Sequence, residues 1–354
     1  MATYTSYDLV EFGKPLVARQ RPMPEPAGTQ VLLRVRRSGV CHSDLHIAEG
    51  FFDLGEEGKL RMEDRGMVLP LALGHEILGE VIAAGPEAGD APIGETMLVH
   101  PWIGCGDCRA CNEGCENECT RMRALGVFRD GGYATHVLVD HPKFLIDVEG
   151  LDLDTVTPYS CSGVTVYNAL KKVGQLHEGE WLAVMGAGGL GLNAVGIARA
   201  IGYERIVSVD IDERKLQAAA EMGADAVLNG GRDDALEELR RITGNQLLGV
   251  VDTVGAPSTS RLAIHALIKM GRYIVVGLYG GDLKMPLPWL PQKYLTIRGS
   301  YVGSCRDLRE LIALVKTGKV KEIPVSSRPL SEVSQTLDDL KAGNITGRVV
   351  LTTE

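Results

Sequence analysis

The chain has 354 residues, 45% of them hydrophobic and 23% charged, enough for about two domains at ~100–200 residues each. Its 37 Lys and Arg against 46 Asp and Glu give a net charge of -9, which argues against the basic face that a nucleic-acid grip needs. No apolar run approaches the ~18 residues of a membrane span, and the stretch from Leu69 to Gly85 is broken by His75, Glu76 and Glu80. The opening residues carry neither the basic nor the apolar region of a secretory signal, so the expected compartment is the cytoplasm.

In chain order, Val31 to Arg36 alternates apolar and basic side chains, the period of a half-buried strand. Ile77–Ala84, Met97–His100 and Tyr133–Val139 read as further strands between Gly, Pro and Asp turn signals. The stretch from Phe51 to Val68 is charged and without periodicity, and reads as a surface loop or lid. From about residue 162 strands and helices alternate. Trp181–Met185, Ile206–Val209, Ala226–Leu228, Leu248–Thr253, Tyr273–Gly277 and Leu295–Arg298 are six predicted strands. Helical spacing marks Leu190–Ile201, Arg214–Met222, Ala235–Ile242 and Ser258–Lys269 between them. That alternation predicts a parallel sheet covered on both faces, a doubly wound α/β domain. Two helices, Asp307–Lys316 and Ser331–Lys341, and a strand, Arg348–Thr352, follow and must return to the first domain.

Gly186-Ala187-Gly188-Gly189-Leu190-Gly191 satisfies G-x-G-x-x-G between a predicted strand and a predicted helix, the context that a dinucleotide site requires. Gly186 allows the tight turn, Gly188 the approach of a pyrophosphate and Gly191 close packing of helix on sheet. Asp210 ends the next strand, nineteen residues past Gly191, where a carboxylate binds an adenosine ribose diol. It favours NAD over NADP, although Arg214 and Lys215 nearby weaken that preference.

Eight cysteines sharpen the reading, because four of them, Cys105, Cys108, Cys111 and Cys119, fall within fifteen residues. Short spacings of this kind wrap a tetrahedral zinc, and four thiolates leave no open position, so the site is structural. Cys115 could take the place of Cys111 or Cys119 in another register, and a redox thiol cluster or an iron–sulfur site are the alternatives. Cys41, His75 and Cys161 stand far apart. Taken singly, the two cysteines read as small buried hydrophobes and the histidine as a hydrogen-bonded core residue. Taken together, two thiolates and one imidazole leave zinc an open fourth position for water or alcohol.

Five motifs in order decide between these readings: Gly39-Val40-Cys41-His42-Ser43-Asp44-Leu45-His46, Gly74-His75-Glu76, the four-cysteine lobe, Cys161-Ser162-Gly163-Val164-Thr165-Val166-Tyr167 and the glycine fingerprint. With them the chain resembles the zinc-dependent medium-chain alcohol dehydrogenases over essentially its whole length. The segment before Gly74, with Leu69-Pro70-Leu71-Ala72-Leu73, is most similar to the bacterial and archaeal tetrameric branch.

The resemblance implies a β-rich GroES-like catalytic domain, residues 1–161 with 300–354, and a Rossmann domain, residues 162–299. It implies catalytic zinc on Cys41, His75 and Cys161, with Glu76 just behind the metal and Asp44 orienting the histidine. Ser43 then takes the alcohol proton, and His46 ends a relay that runs through the nicotinamide ribose. His42 and Arg348 match basic positions beside the pyrophosphate, Thr165 a residue against the nicotinamide, and Lys215 one near the adenosine ribose. Leu278 is placed against the cofactor and, with Trp102, along the substrate pocket. Cys161 favours a simple alcohol, because polyol enzymes of the superfamily commonly use a carboxylate there. Cys305 is expected to be an ordinary thiol near a helix start.

The reading implied is reversible hydride transfer between a primary or secondary alcohol and NAD, with two zinc ions per chain and a homo-oligomer, tetramer or else dimer. The substrate is a small molecule, and no nucleic acid or membrane partner is expected. A polyol or amino-alcohol dehydrogenase, and a non-catalytic NAD-binding redox sensor, are the alternatives.

Overall fold

A computed structural model describes residues 2–353. The first sheet is built around the strand Val31–Val40, whose even pattern of buried Val31, Leu33 and Val35 places it at the centre. It pairs antiparallel with Glu76–Ala84, His136–Val139 and Arg348–Thr352. Thr96–Val99 and Leu145–Asp147 extend the sheet on one side, and Val325–Pro329 closes the other. The expected return of the far end of the chain to the first sheet is therefore met by Arg348–Thr352, which pairs in the register Val349↔Val40 to Thr352↔Arg37.

The second sheet has six parallel strands, Trp181–Met185, Ile206–Asp210, Ala226–Asn229, Leu247–Asp252, Arg272–Val275 and Thr296–Gly299. In chain order they lie 3-2-1-4-5-6. This is the doubly wound order, and it opens a crevice where the order reverses, at the C-terminal ends of Trp181–Met185 and Leu247–Asp252. All six predicted strands are present, each within a residue or two of its expected bounds.

Two expectations need correction, and one element was not foreseen. Tyr133 lies outside the strand that was expected to start there, because its N–H bonds Leu73 O and its carbonyl accepts from Tyr7. Phe51–Val68 is partly ordered as a small hairpin, Phe51–Asp53 against Lys59–Arg61, and Met62 and Met67 are buried in the core beneath it. The helix Ser162–Val173, unnamed in the sequence reading, is among the most deeply buried of all.

That helix explains how two sheets share one interior. A single apolar cluster runs from Leu33, Leu78 and Val99 of the first sheet through Val164, Val166 and Leu170 to Leu182, Val184 and Val251 of the second. Leu308 and Leu311 of the helix Cys305–Lys316 complete it. Each such side chain contributes about 1.5–3 kcal/mol when fully buried. Arg348, at the start of the last strand of the first sheet, pairs with Glu76 and lies against Gly189 of the glycine turn, so the two sheets meet beside the singled-out residues.

Candidate active site

The strand Val31–Val40 runs into Cys41, the N-cap of the helix His42–Glu49. Asp44 closes that cap by accepting from the Cys41 N–H at 2.9 Å. Its carboxylate also accepts from the Tyr133 hydroxyl at 2.8 Å and meets His75 Nδ1 at 3.0 Å. Because Nδ1 is spent on Asp44, His75 presents Nε2, which is buried without a hydrogen-bond partner. Register does the rest. Gly39 lies opposite Glu76, and a side chain at Gly39 would collide with that glutamate, so the two strands close up only with glycine here.

Cys41, His75, Glu76 and Cys161 are all buried, and their ligand atoms lie within 4.8 Å of one another. The charges inside the cluster are complementary. The neighbouring Cys161 thiol, helped by Arg348 and His75, holds Cys41 well below the ordinary thiol range. Cys41 in turn drives Cys161 well above that range. Burial pulls His75 down, but Asp44 and Cys41 more than reverse it and carry it up to about 10. A soft divalent cation fits this donor set of two thiols and an imidazole nitrogen that has no other partner. Glu76 is paired with Arg348 through one oxygen, and its other oxygen is buried and unpartnered.

Ser43 and His46 stand one turn apart on the helix His42–Glu49, both half-buried, with His46 packed on Phe52 at 5.4 Å between ring centroids. Thr165, one turn into the helix after Cys161, has a buried hydroxyl with no hydrogen-bond partner. His42, the first residue of the helix His42–Glu49, is exposed, and partial desolvation with the nearby positive charges of Arg348 and Lys215 lowers its pKa. Trp102 packs 5.3 Å from His75 between ring centroids, its Nε1 donating to Ser160 O at 3.1 Å.

The glycine fingerprint has the geometry its sequence predicts. Gly186 has φ of 91°, in the left-handed region that only glycine enters freely. A side chain at Gly191 would strike the carbonyl of Gly186, whereas one at Gly188 would meet nothing within 4 Å. The open space at Gly188 faces the N-terminus of the helix Gly189–Ala200, where an anionic pyrophosphate fits. Gly189 lies against the Arg348 side chain, and Leu190 packs onto the core. Asp210 accepts from the N–H groups of Ala187, Ile211 and Asp212 at 2.6, 2.7 and 3.0 Å. Arg214 is engaged by Asp212 at 2.7 Å, and Lys215 is half-buried one residue further on. Leu278 follows the fifth parallel strand and is exposed.

The second cluster is the cysteine lobe. The sulfurs of Cys105, Cys108, Cys111 and Cys119 lie within 4.8 Å of one another. Backbone N–H groups of Cys105 and Arg121 each reach Cys119 Sγ at 3.3 Å. Cys115 points away, toward Glu113 O at 4.0 Å, so the alternative register has no support in the geometry. Cys305 is buried, and burial takes its thiol up to about 11, in keeping with an inert role.

Family models for an alcohol dehydrogenase GroES-like domain and a zinc-binding dehydrogenase match residues 27–150 and 189–317. The NAD-dependent alcohol dehydrogenase of Sulfurisphaera tokodaii is 40% identical over 97% of this chain and 98% of its own. That of Saccharolobus solfataricus is 39% identical over the same shares. The chain belongs to the zinc-type medium-chain alcohol dehydrogenases. Among solved structures of the family, the Aeropyrum pernix alcohol dehydrogenase superposes with a TM-score of 0.90 at 30% identity, covering 98% of this chain and 99% of that one. The acetophenone reductase of Geotrichum candidum, solved with NAD, gives 0.84 at 30% identity over 99% and 97%.

Within this family fold, sequence reading passes over two polar contacts beside the clusters. Tyr133 supports Asp44 from a remote segment, and only its place after two glycines hinted at a special position. Ser162 accepts from Asn193 Nδ2 at 2.9 Å. It thereby ties the helix after Cys161 to the helix of the glycine fingerprint.

Proposed function

We propose that this chain is a zinc-dependent, NAD-dependent alcohol dehydrogenase that interconverts a primary or secondary alcohol with its aldehyde or ketone. The observation that carries the reading is the buried Cys41–His75–Cys161 cluster with Nε2 of His75 unpartnered, joined to the glycine turn by Arg348, which pairs with Glu76 and lies against Gly189. Zinc on these three residues would lower the pKa of a bound hydroxyl and polarise a carbonyl, while NAD accepts or returns the hydride.

The chain's own groups do the remaining work. Asp44 fixes the tautomer and orientation of His75. Ser43 Oγ takes the alcohol proton, and His46, one turn further along the helix, passes it onward. Gly186, Gly188, Gly191 and the helix N-terminus beyond them hold the pyrophosphate, with His42 and Arg348 beside it. Asp210 binds the ribose diol and repels a 2′-phosphate, and Arg214, occupied by Asp212, is poorly placed to reverse that choice.

A second zinc belongs to Cys105, Cys108, Cys111 and Cys119, where it holds the lobe without touching substrate. Residues 1–161 with 300–354 form the catalytic domain and 162–299 the cofactor domain. A cytoplasmic location is part of this proposal; no helix among the described residues is long and apolar enough to cross a membrane. The edge strand Thr296–Gly299, with Leu287 and Tyr294 exposed before it, supports pairing of copies into a tetramer, or else a dimer.

The test is NADH formation by purified protein over a panel of primary, secondary and polyhydroxy alcohols, before and after a zinc chelator. Turnover that vanishes with the metal and returns with added zinc is expected. No turnover on any alcohol, in protein that holds zinc and NAD, would favour the redox-sensor reading instead.

A further inference from the structure

Three consecutive backbone carbonyls, where the chain leaves the parallel sheet, are each captured by a side chain from a different place. Asn117 Nδ2 donates to Tyr301 O at 3.2 Å, Asn168 Nδ2 to Val302 O at 2.6 Å and His100 Nε2 to Gly303 O at 3.0 Å. Lys172 adds a 2.8 Å bond to Ser300 Oγ just before them. Asn168 and Lys172 lie on the helix Ser162–Val173, and His100 follows the strand Thr96–Val99. Asn117 belongs to the cysteine lobe, in the 3₁₀ turn Glu116–Glu118 that leads into Cys119.

The clamp has something to hold. Val302 is buried at φ of 37°, a conformation that β-branched residues avoid. Such a residue persists only where its surroundings over-determine it. The residue before it, Tyr301, is 42% exposed and packs on the aromatic neighbour of the metal cluster. The Tyr301 ring packs edge-on against Trp102 at 6.0 Å, and Trp102 lies 5.3 Å from His75. The rings of Tyr301 and Trp102 therefore form a wall next to the histidine of the catalytic cluster, and the Tyr301 backbone hangs from Asn117.

We propose that the cysteine lobe positions the alcohol pocket: through Asn117 it fixes the Tyr301–Gly303 turn, and so the aromatic wall that receives the alcohol's side chain. This rests on the alcohol dehydrogenase reading above. It gives the lobe a part in selecting the substrate in addition to holding the fold. Asn117 is a positioning residue, since its side chain touches the turn and not the reacting atoms.

The experiment compares kcat/KM for ethanol and benzyl alcohol in the wild-type zinc-loaded enzyme, Asn117→Ala, Tyr301→Ala and the double variant, with zinc per chain and thermal midpoint measured on each. Tyr301→Ala opens the wall and raises the benzyl-to-ethanol ratio. Asn117→Ala is expected to shift the same ratio by about five-fold, the scale of one lost hydrogen bond, chiefly through KM and with zinc content unchanged. It adds nothing further once Tyr301 is removed. If Asn117→Ala does not accumulate in folded form, Asn117→Asp, which turns the donor into an acceptor facing Tyr301 O, serves in its place.

An unchanged ratio, equal losses in kcat for both alcohols, or a shift that persists undiminished in the Tyr301→Ala background overturns the proposal. Absence of turnover in the wild-type enzyme would instead sink the reading on which it rests, and the proposal with it.

Discussion

Asp44 accepts three hydrogen bonds with one carboxylate, from the Cys41 N–H, the Tyr133 hydroxyl and the His75 ring. Every one of these partners presents a donor, so an amide at this position would set its NH₂ against at least one of them. Asp44→Asn should therefore leave the chain folded but loosen His75, with zinc affinity at the buried cluster falling by about 10–100-fold. Metal analysis after dialysis would show zinc lost from that cluster and kept by the four-cysteine lobe. Equal retention at both would refute the role given to Asp44. These residues were legible in sequence to different degrees. The lobe announces itself by spacing alone, since its four cysteines are local. Cys41, His75 and Cys161 carry no local signal, because the contacts that unite them come from strand register, and a resemblance was needed to join them. Asn117 and Tyr301 left no mark, and Tyr133 only its place after two glycines, since each acts through a bond to a segment remote in the chain.

Among the elements, the glycine turn separates two roles that the sequence motif presents as one. Gly188 has φ of -73° and open space around it, so alanine fits there and should keep or slightly raise stability. The added methyl would stand where the pyrophosphate approaches, so NAD affinity should fall by at least about ten-fold, or about 1.4 kcal/mol. Gly191→Ala should behave in the opposite manner, because its methyl meets the Gly186 carbonyl and lowers the thermal midpoint before cofactor is considered. Calorimetry and NAD titration on both variants would check this, and identical profiles would contradict it. The six parallel strands were legible because strands buried on both faces read as apolar runs. The strand Thr3–Leu9 was not, because its buried face is Tyr4, Ser6 and Asp8, and Asp8 is neutralised by Arg21 at 2.6 Å. Nor was the helix Ser162–Val173. Gly163, Val164, Thr165 and Val166 are weak helix formers, and packing between the sheets overrides their preference.

For the molecule as a whole, stability has an acid limit written into the clamp on residues 301–303. Burial holds His100 down to about 4, with its bond to Gly303 O only partly compensating. Between pH 6.5 and 4 the unfolded chain binds a proton that the folded chain refuses, so folding free energy drops as the pH falls through that window. The total is roughly 3 kcal/mol. His100→Asn keeps a donor for Gly303 O and removes the titration, so its urea midpoint should fall less between pH 7 and 4.5 than that of the wild type at equal zinc. A parallel decline would argue against His100 as a source of that sensitivity. The two-sheet plan was legible from the change in pattern near residue 162, but not the shared interior, which depends on contacts between helices far apart in sequence. The pairing of Val31–Val40 with Arg348–Thr352 also sets a timetable for synthesis. At about 5–20 residues per second, the ribosome needs roughly 15–60 s to travel from one strand to the other. Until then the first sheet exposes an unpaired edge along the half of Val31–Val40 that leads into Cys41. A nascent chain in this state is open to capture by another strand, so chaperone engagement should be strongest late in translation, after the cofactor sheet has emerged.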